Sequence, residues 1–143
     1  MTSGFLLAKA TQHWNELLAE RFASAGYSDI RPSYGSVLPP LYEDDGLRIG
    51  ELARRARLSK QAMTEMIQRL ERDGLVARRP DPADGRASLI LLTDRSRRFE
   101  TTAHATLLEL DRRARTRLSA RRLTELKTGL TELMTLDEDR DGG

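Results

Sequence analysis

The sequence predicts a mainly α fold in which a helix-turn-helix is followed directly by a β-hairpin and framed by longer helices. Three observations predict it. Between 49 and 73, two short segments with helical apolar spacing stand on either side of Arg57-Leu58-Ser59. From 75 to 92, two strand-like runs enclose a stretch dense in proline, aspartate and glycine. On both sides of this middle, apolar residues recur three and four positions apart, the spacing of an amphipathic helix.

The elements follow in order. Leu6, Ala10, Trp14, Leu17, Leu18, Phe22 and Ala25 mark a first helix over residues 3 to about 25, with Gly26 as its stop. Pro32 suits the first turn of a second helix whose apolar face is Tyr34, Val37, Leu38 and Leu41. Pro39-Pro40 falls inside that pattern and is expected to kink or shorten it. Acidic 43–46 makes a loop. Ile49, Leu52, Ala53 and Ala56 define a short helix over 49–56, and Ser59 is a good N-cap for the next. In that second helix Ala62, Met63, Met66, Ile67 and Leu70 face inward and Gly74 closes it. Two short helices joined by a tight turn, the second polar on its outer face, form a helix-turn-helix. Runs 75–79 and 86–92 then read as a hairpin with a six-residue loop, Pro80 to Gly85, and Leu47-Arg48-Ile49 adds a very short third strand. A helix-turn-helix followed by a hairpin is the winged-helix arrangement. Thr93 caps a long helix to about 117, with Phe99, Ala103, Leu107, Leu110 and Ala114 on its stripe. Ser119 caps a last helix striped by Leu123, Leu126, Leu130 and Leu133, and the tail DEDRDGG is expected to fray.

Composition narrows the classes of function. At 143 residues, with no internal repeat and no linker, one domain is expected. Charged residues are 32% and aromatics 5%, a balance that favours helix surface over sheet interior. Without cysteine, disulfides and thiolate metal sites within the chain are excluded. The amino terminus lacks the basic lead and apolar core of a signal peptide, and no apolar run nears the roughly 20 residues of a membrane span. A cytoplasmic protein without a membrane partner is expected. The net charge of +2 is unevenly spread: residues 48–98 carry +6 and the remainder −4. A positive middle is a candidate footprint for a polyanion.

Candidate contacts come from the second short helix and the hairpin. Ser59, Lys60, Gln61 and Thr64 stand at the amino end of the helix, the end that usually reads bases. Gln pairs bidentately with adenine, and Thr offers a methyl to thymine or a hydroxyl to either groove edge. Arg69, two turns on, is better placed for phosphate. In the hairpin, Arg78, Arg79 and Arg86 surround the turn, and the spacing of Asp84 and Arg86 about Gly85 lets the carboxylate hold the guanidinium. A basic arm of this kind can enter a minor groove, where the negative potential favours arginine. The bland alternatives are a solvated helix face and an exposed loop salt bridge worth under about 1 kcal/mol. The run 112–122, RRARTRLSARR, spreads its arginines over several helix directions and reads as solvated surface. His13 and His104 show no metal-ligand spacing, so neither a metal nor another cofactor is expected. No nucleophile–base pair or phosphate-binding glycine loop suggests an enzyme.

The stretch LRIGELARRARLSKQAMTEMIQRLERDGLVARRPDPADGRASLILLT resembles the winged helix-turn-helix of the multiple-antibiotic-resistance regulator (MarR) family. The matching pieces are ELA before the turn, the serine-started helix ending LERDGLV, and the wing R-x-x-DPADGRA followed by LT. Element order matches over nearly the whole chain. The resemblance implies a homodimeric regulator of transcription binding a pseudo-palindrome in double-stranded DNA, expected to be a repressor relieved by a small aromatic ligand. It implies one MarR-like domain over 1–143, with 1–31 and 94–143 as dimerisation helices and 32–93 as the DNA-binding region. Ser59, Lys60, Gln61 and Thr64 would then be groove contacts, Arg69 a phosphate contact, and Asp84 with Arg86 the wing tip. Trp14, Tyr34 and Phe99 are candidate ligand walls, although an aromatic on a helix stripe is more often core. Pro39-Pro40, and Asp94-Arg95-Ser96 where many members carry an acidic residue and a glycine, depart from the pattern. The competing reading is a winged helix that docks on proteins without specific DNA binding.

Overall fold

A computed structural model describes residues 1–138; residues 139–143 of the expected frayed tail lie outside the described residues. The elements run α1 (Ser3–Ser24), a 3-10 turn (Pro32–Ser36), α2 (Leu38–Glu43), β1 (Leu47–Arg48), α3 (Ile49–Ala56), α4 (Lys60–Arg72), β2 (Val76–Asp81), β3 (Asp84–Leu92), α5 (Asp94–Leu118) and α6 (Ala120–Leu133). The three strands form an antiparallel sheet in the order β1-β3-β2. The fold is mainly helical and carries the expected helix-turn-helix and wing. By its internal contacts the chain divides into two compact units, Met1–Thr106 and a second beginning at Leu107, the boundary falling within α5.

The first unit is built on the apolar faces read from the sequence. Leu52, Met63, Ile67, Leu70, Leu75 and Ile90 are fully buried, so α3, α4 and the sheet share one core. Leu18 and Phe22 bury only the carboxyl-terminal half of α1; Phe5, Leu6 and Leu7 stay exposed. Phe99 packs edge-on against Phe22 and Tyr27, with ring centroids 4.8 and 5.0 Å away. Thr2 and Ser59 cap α1 and α4 as acceptors, from Phe5 N and Ala62 N respectively. Thr93 holds the start of α5, its Oγ1 accepting from Ser96 N while donating to Gly74 O at 2.7 Å.

Two segments differ from the expectation. The second helix is not one kinked helix but a 3-10 turn, closed by Val37 N to Tyr34 O at 3.0 Å, and then a fresh α2. Pro39 and Pro40 have no N–H to donate four residues back, so a helix cannot run through them. They sit in the first turn of α2, where those donors would be unsatisfied anyway. The six-residue wing loop is also shorter than expected: β2 extends to Asp81 and β3 starts at Asp84, leaving Pro82-Ala83 as the turn. Side-chain acceptors make this possible. Asp81 Oδ1 accepts from Ala83 N at 2.9 Å and Asp84 Oδ1 from Arg86 N at 3.1 Å. Gly85 lies in β3 without a positive φ, so the tip does not depend on a glycine there.

In the second unit, Leu110 and Leu123 are buried, whereas Leu107, Leu126, Leu130 and Leu133 of the expected stripes are exposed. Ser119 caps α6 through its Oγ, accepting from Arg122 N, and does so at φ 91°, ψ 158°, a conformation side chains rarely adopt. Of the basic run, Arg121 pairs with Glu125 at 3.1 Å, and the other arginines are exposed.

Tyr34 is 2% exposed and its hydroxyl donates to Asp73 Oδ2 at 2.5 Å. Tyr34→Phe should therefore lower stability by about 1.5–3 kcal/mol, as expected for a lost hydrogen bond to a charged group. Urea unfolding should show a lower midpoint at unchanged slope.

Candidate nucleic-acid interface

The surface begins at the turn between α3 and α4. Arg57 ends α3 in the left-handed region (φ 55°, ψ 40°), and Leu58 N returns to Ala53 O at 3.0 Å. This bend sends the chain into Ser59 and α4. The inward stripe of α4 is buried at Met63, Ile67 and Leu70, which turns Lys60, Gln61 and Arg69 outward, all exposed. Two of the four groove candidates have part of their polarity engaged. The Ser59 Oγ accepts the cap bond from Ala62 N at 3.1 Å, leaving its own hydrogen to donate. Thr64 is half-buried and its Oγ1 donates to Lys60 O at 2.8 Å, leaving its methyl and its lone pairs. Lys60 and Gln61 are the long, outward groups.

The far end of α4 is pinned. Asp73, its C-cap, takes the Tyr34 hydroxyl on its carboxylate and Arg95 Nη1 on its backbone oxygen at 2.8 Å. Arg95 Nη2 reaches Asp29 Oδ1 at 2.7 Å, and the guanidinium lies 5.9 Å from the centre of the Tyr27 ring. The hydrogen bond from Arg95 holds the Asp29 carboxyl below its ordinary range, while burial, helped by Asp73, pushes the Tyr34 hydroxyl up.

The wing is held at three points. Arg78 Nε donates to Glu71 Oε1 at 2.7 Å, so this candidate contact ties β2 to the last turn of α4. Arg48 donates to Asp81 across the sheet, with Nε at 2.7 Å and Nη2 at 2.6 Å from Oδ2. The Ala83 N–H first, and then Arg48, keep the Asp81 carboxyl below the usual carboxylate range. At the tip, Asp84 Oδ1 lies 3.7 Å from Arg86 Nε but 3.1 Å from Arg86 N. The aspartate therefore fixes the arginine's backbone more firmly than its guanidinium, and the Arg86 side chain is 98% exposed.

The three candidate ligand aromatics are not assembled into one wall. Tyr34 and Phe99 are core, the first spent on Asp73 and the second packed on Phe22 and Tyr27. Trp14 is half-buried on α1, and no ring contact among the described residues joins it to the other two. Among the described residues no group of three or more His, Cys, Asp or Glu is placed to hold a metal, and no helix is long and apolar enough to cross a membrane. Arg48, Asp81, Glu71, Asp73 and Arg95 escaped the sequence reading of the site. The third strand at Leu47-Arg48 put Arg48 beside the hairpin, and Glu71, Asp73 and Asp81 lie within the motif pieces LERDGLV and DPADGRA, but nothing local named their partners.

Comparison with known proteins agrees with this geometry. The profile of the MarR family matches residues 32–88. The HTH-type transcriptional repressor Rv2887 of Mycobacterium tuberculosis is 32% identical over 117 residues, covering 73% of this chain and 84% of the relative. A probable transcriptional regulator from Pseudomonas aeruginosa superposes with a TM-score of 0.80 at 27% identity, over 92% of this chain and 96% of that one. A mutant MarR from E. coli, solved with operator DNA, gives a TM-score of 0.78 at 25% identity, over 91% of each chain.

Proposed function

Because the chain belongs to the MarR family of transcriptional regulators, which are not enzymes, we propose that it binds double-stranded operator DNA as a homodimer and represses transcription until a small aromatic ligand relieves it. The observation that carries the DNA reading is the wing tip. Arg86 is 98% exposed, its backbone is pinned by Asp84, and it lies on the same compact unit as the outward amino end of α4. In this reading Ser59, Lys60, Gln61 and Thr64 enter a major groove, Arg69 meets phosphate, and Arg86 follows the backbone into a minor groove. Arg78 serves by holding the wing to α4. Repression is favoured by the name of the Mycobacterium tuberculosis relative. Relief by ligand rests on the family resemblance; of the three candidate aromatics Trp14 alone keeps surface for a ligand to meet. Such a ligand would act by favouring a dimer whose recognition helices are wrongly spaced.

Dimerisation is supported by apolar surface that each unit leaves uncovered: Phe5, Leu6 and Leu7 in the first, Leu107, Leu108, Leu126, Leu130 and Leu133 in the second. In this reading the helices within 1–31 and 94–143 pair the subunits and 32–93 meets DNA. Two recognition helices then require half-sites about one helical turn, roughly 10 bp, apart.

Selection from randomised duplexes tests the reading: an enriched pseudo-palindrome is expected, and no enrichment at modest salt would instead favour a protein-docking winged helix. On the enriched duplex, Arg86→Ala should cost about 1–3 kcal/mol, whereas Gln61→Ala should relax the preference at one base per half-site. Uniform weakening by Gln61→Ala would place that side chain on the backbone only. Replacing both Leu126 and Leu130 by Glu should raise the dimer dissociation constant about 100-fold or more. Sedimentation should then find monomer with its helix content intact; a persistent dimer would refute the role of this stripe.

A further inference from the structure

The wing outruns its support. β1 pairs with β3 only at Leu47↔Ile90 and Arg48↔Leu89. β2 continues along β3 past that level, through Pro80↔Ser88 to Asp81↔Asp84. Beyond Leu89 the hairpin is therefore two-stranded, and a two-stranded ribbon is marginal in water. Pro80 has no N–H to contribute, and the ladder shifts register between Pro80 and Asp81. The tip that presents Arg86 is the least supported part of the sheet.

One side chain compensates. Arg48, the last residue of β1, reaches over β3 to the far strand and places Nε and Nη2 at 2.7 and 2.6 Å from Asp81 Oδ2. Neighbouring strands stand about 4.8 Å apart, so the span at the backbone is roughly 10 Å. The arginine, met by the aspartate side chain, covers that distance and lands two donors at its end. The other oxygen of the same carboxylate, Oδ1, accepts from Ala83 N at 2.9 Å. Asp81 thus joins the brace to the turn. Its side chain is 11% exposed and that of Arg48 is 49% exposed. So open a pair adds little to stability; what it supplies is direction.

We propose that Arg48 is a positioning residue for DNA recognition: through Asp81 it aims the wing tip so that Arg86 meets the minor groove, without itself contacting DNA. This rests on the wing role proposed for Arg86. A tip free to swing must be ordered on binding, and the brace does that ordering in advance. Asp84 governs the backbone of Arg86 within the tip, whereas Arg48 governs where the tip stands relative to the rest of the sheet.

The test titrates wild type, Arg48→Ala, Asp81→Asn, Arg86→Ala and the Arg48→Ala/Arg86→Ala double variant against the duplex that wild type enriches, at several salt concentrations. Asp81→Asn keeps an oxygen for Ala83 N and removes the charge that holds Arg48. Arg48→Ala and Asp81→Asn should each weaken binding about 3- to 10-fold. The dependence on salt should not change, because no phosphate contact is lost. The double variant should bind no more weakly than Arg86→Ala. Additive losses, or a shallower salt dependence in Arg48→Ala, would overturn the proposal by making Arg48 a direct phosphate contact. Unchanged affinity in Arg48→Ala beside a weakened Arg86→Ala overturns the brace and leaves the wing. Unchanged affinity in Arg86→Ala overturns the wing role on which it rests.

Discussion

The hydrogen bonds gathered on Asp73 fix the end of α4, the helix that carries the outward groups Lys60 and Gln61. Asp73 closes α4, and it is held on its carboxylate by Tyr34 from the 3-10 turn and on its backbone oxygen by Arg95 from the start of α5. Arg95 carries the connection on to Asp29, ahead of the 3-10 turn. Segments more than 60 residues apart in sequence therefore meet at the end of one helix. Helix ends carry unsatisfied carbonyls and fray unless partners are supplied. Here the Arg95 guanidinium supplies one such partner, on the Asp73 carbonyl, while the Tyr34 hydroxyl holds the Asp73 carboxylate; hydrogen bonds to charged groups are among the stronger ones a protein makes. With the carboxyl end of α4 fixed and its amino end capped by Ser59, the orientation of Lys60 and Gln61 follows.

The same logic, with weaker bonds, extends to the wing. Arg78 to Glu71 connects β2 to the last turn of α4, and Arg48 to Asp81 connects β1 to the far strand. These pairs lie at the surface, where an ion pair is worth roughly 0–1 kcal/mol. They do not explain why the domain folds; that belongs to Leu52, Met63, Ile67, Leu70 and Ile90. They explain why a narrow ribbon should point one way. Stability and aim are thus supplied by different residues, so either can change without the other.

What was legible in the sequence was periodicity and capping. The stripes of α3 and α4, the carboxyl-terminal half of the α1 stripe, the caps at Ser59, Thr93 and Ser119 and the third strand at Leu47-Arg48 stand where local chemistry put them. What was not legible was any outcome decided by a long-range partner. Whether Pro39-Pro40 kinks a helix or starts one depends on how the preceding turn closes, and the Pro82-Ala83 turn is short because Asp81 and Asp84 supply acceptors to the backbone. Tyr34 and Phe99 read more readily as core than as ligand wall, and contacts with Asp73, Phe22 and Tyr27 place them in the core. Arg48 and Arg95 carried no motif, since their partners lie 33 and 66 residues away. The exposed leucines of α6 read as a stripe, but periodicity alone does not tell a stripe covered within one chain from one left open.

The corner at Ser119 has an evolutionary consequence. Its backbone, at φ 91° and ψ 158°, lies where glycine is at ease and a side chain is not, yet its hydroxyl is the cap of α6. Two demands meet at one position and favour different residues. Glycine would relax the backbone and forfeit the hydroxyl. A β-branched replacement such as threonine would keep the hydroxyl and crowd a conformation that already strains serine. The set of neutral substitutions there is accordingly small. Drift among related sequences should leave this corner to residues that are either very small or able to cap, while the solvated arginines on both sides of it vary freely.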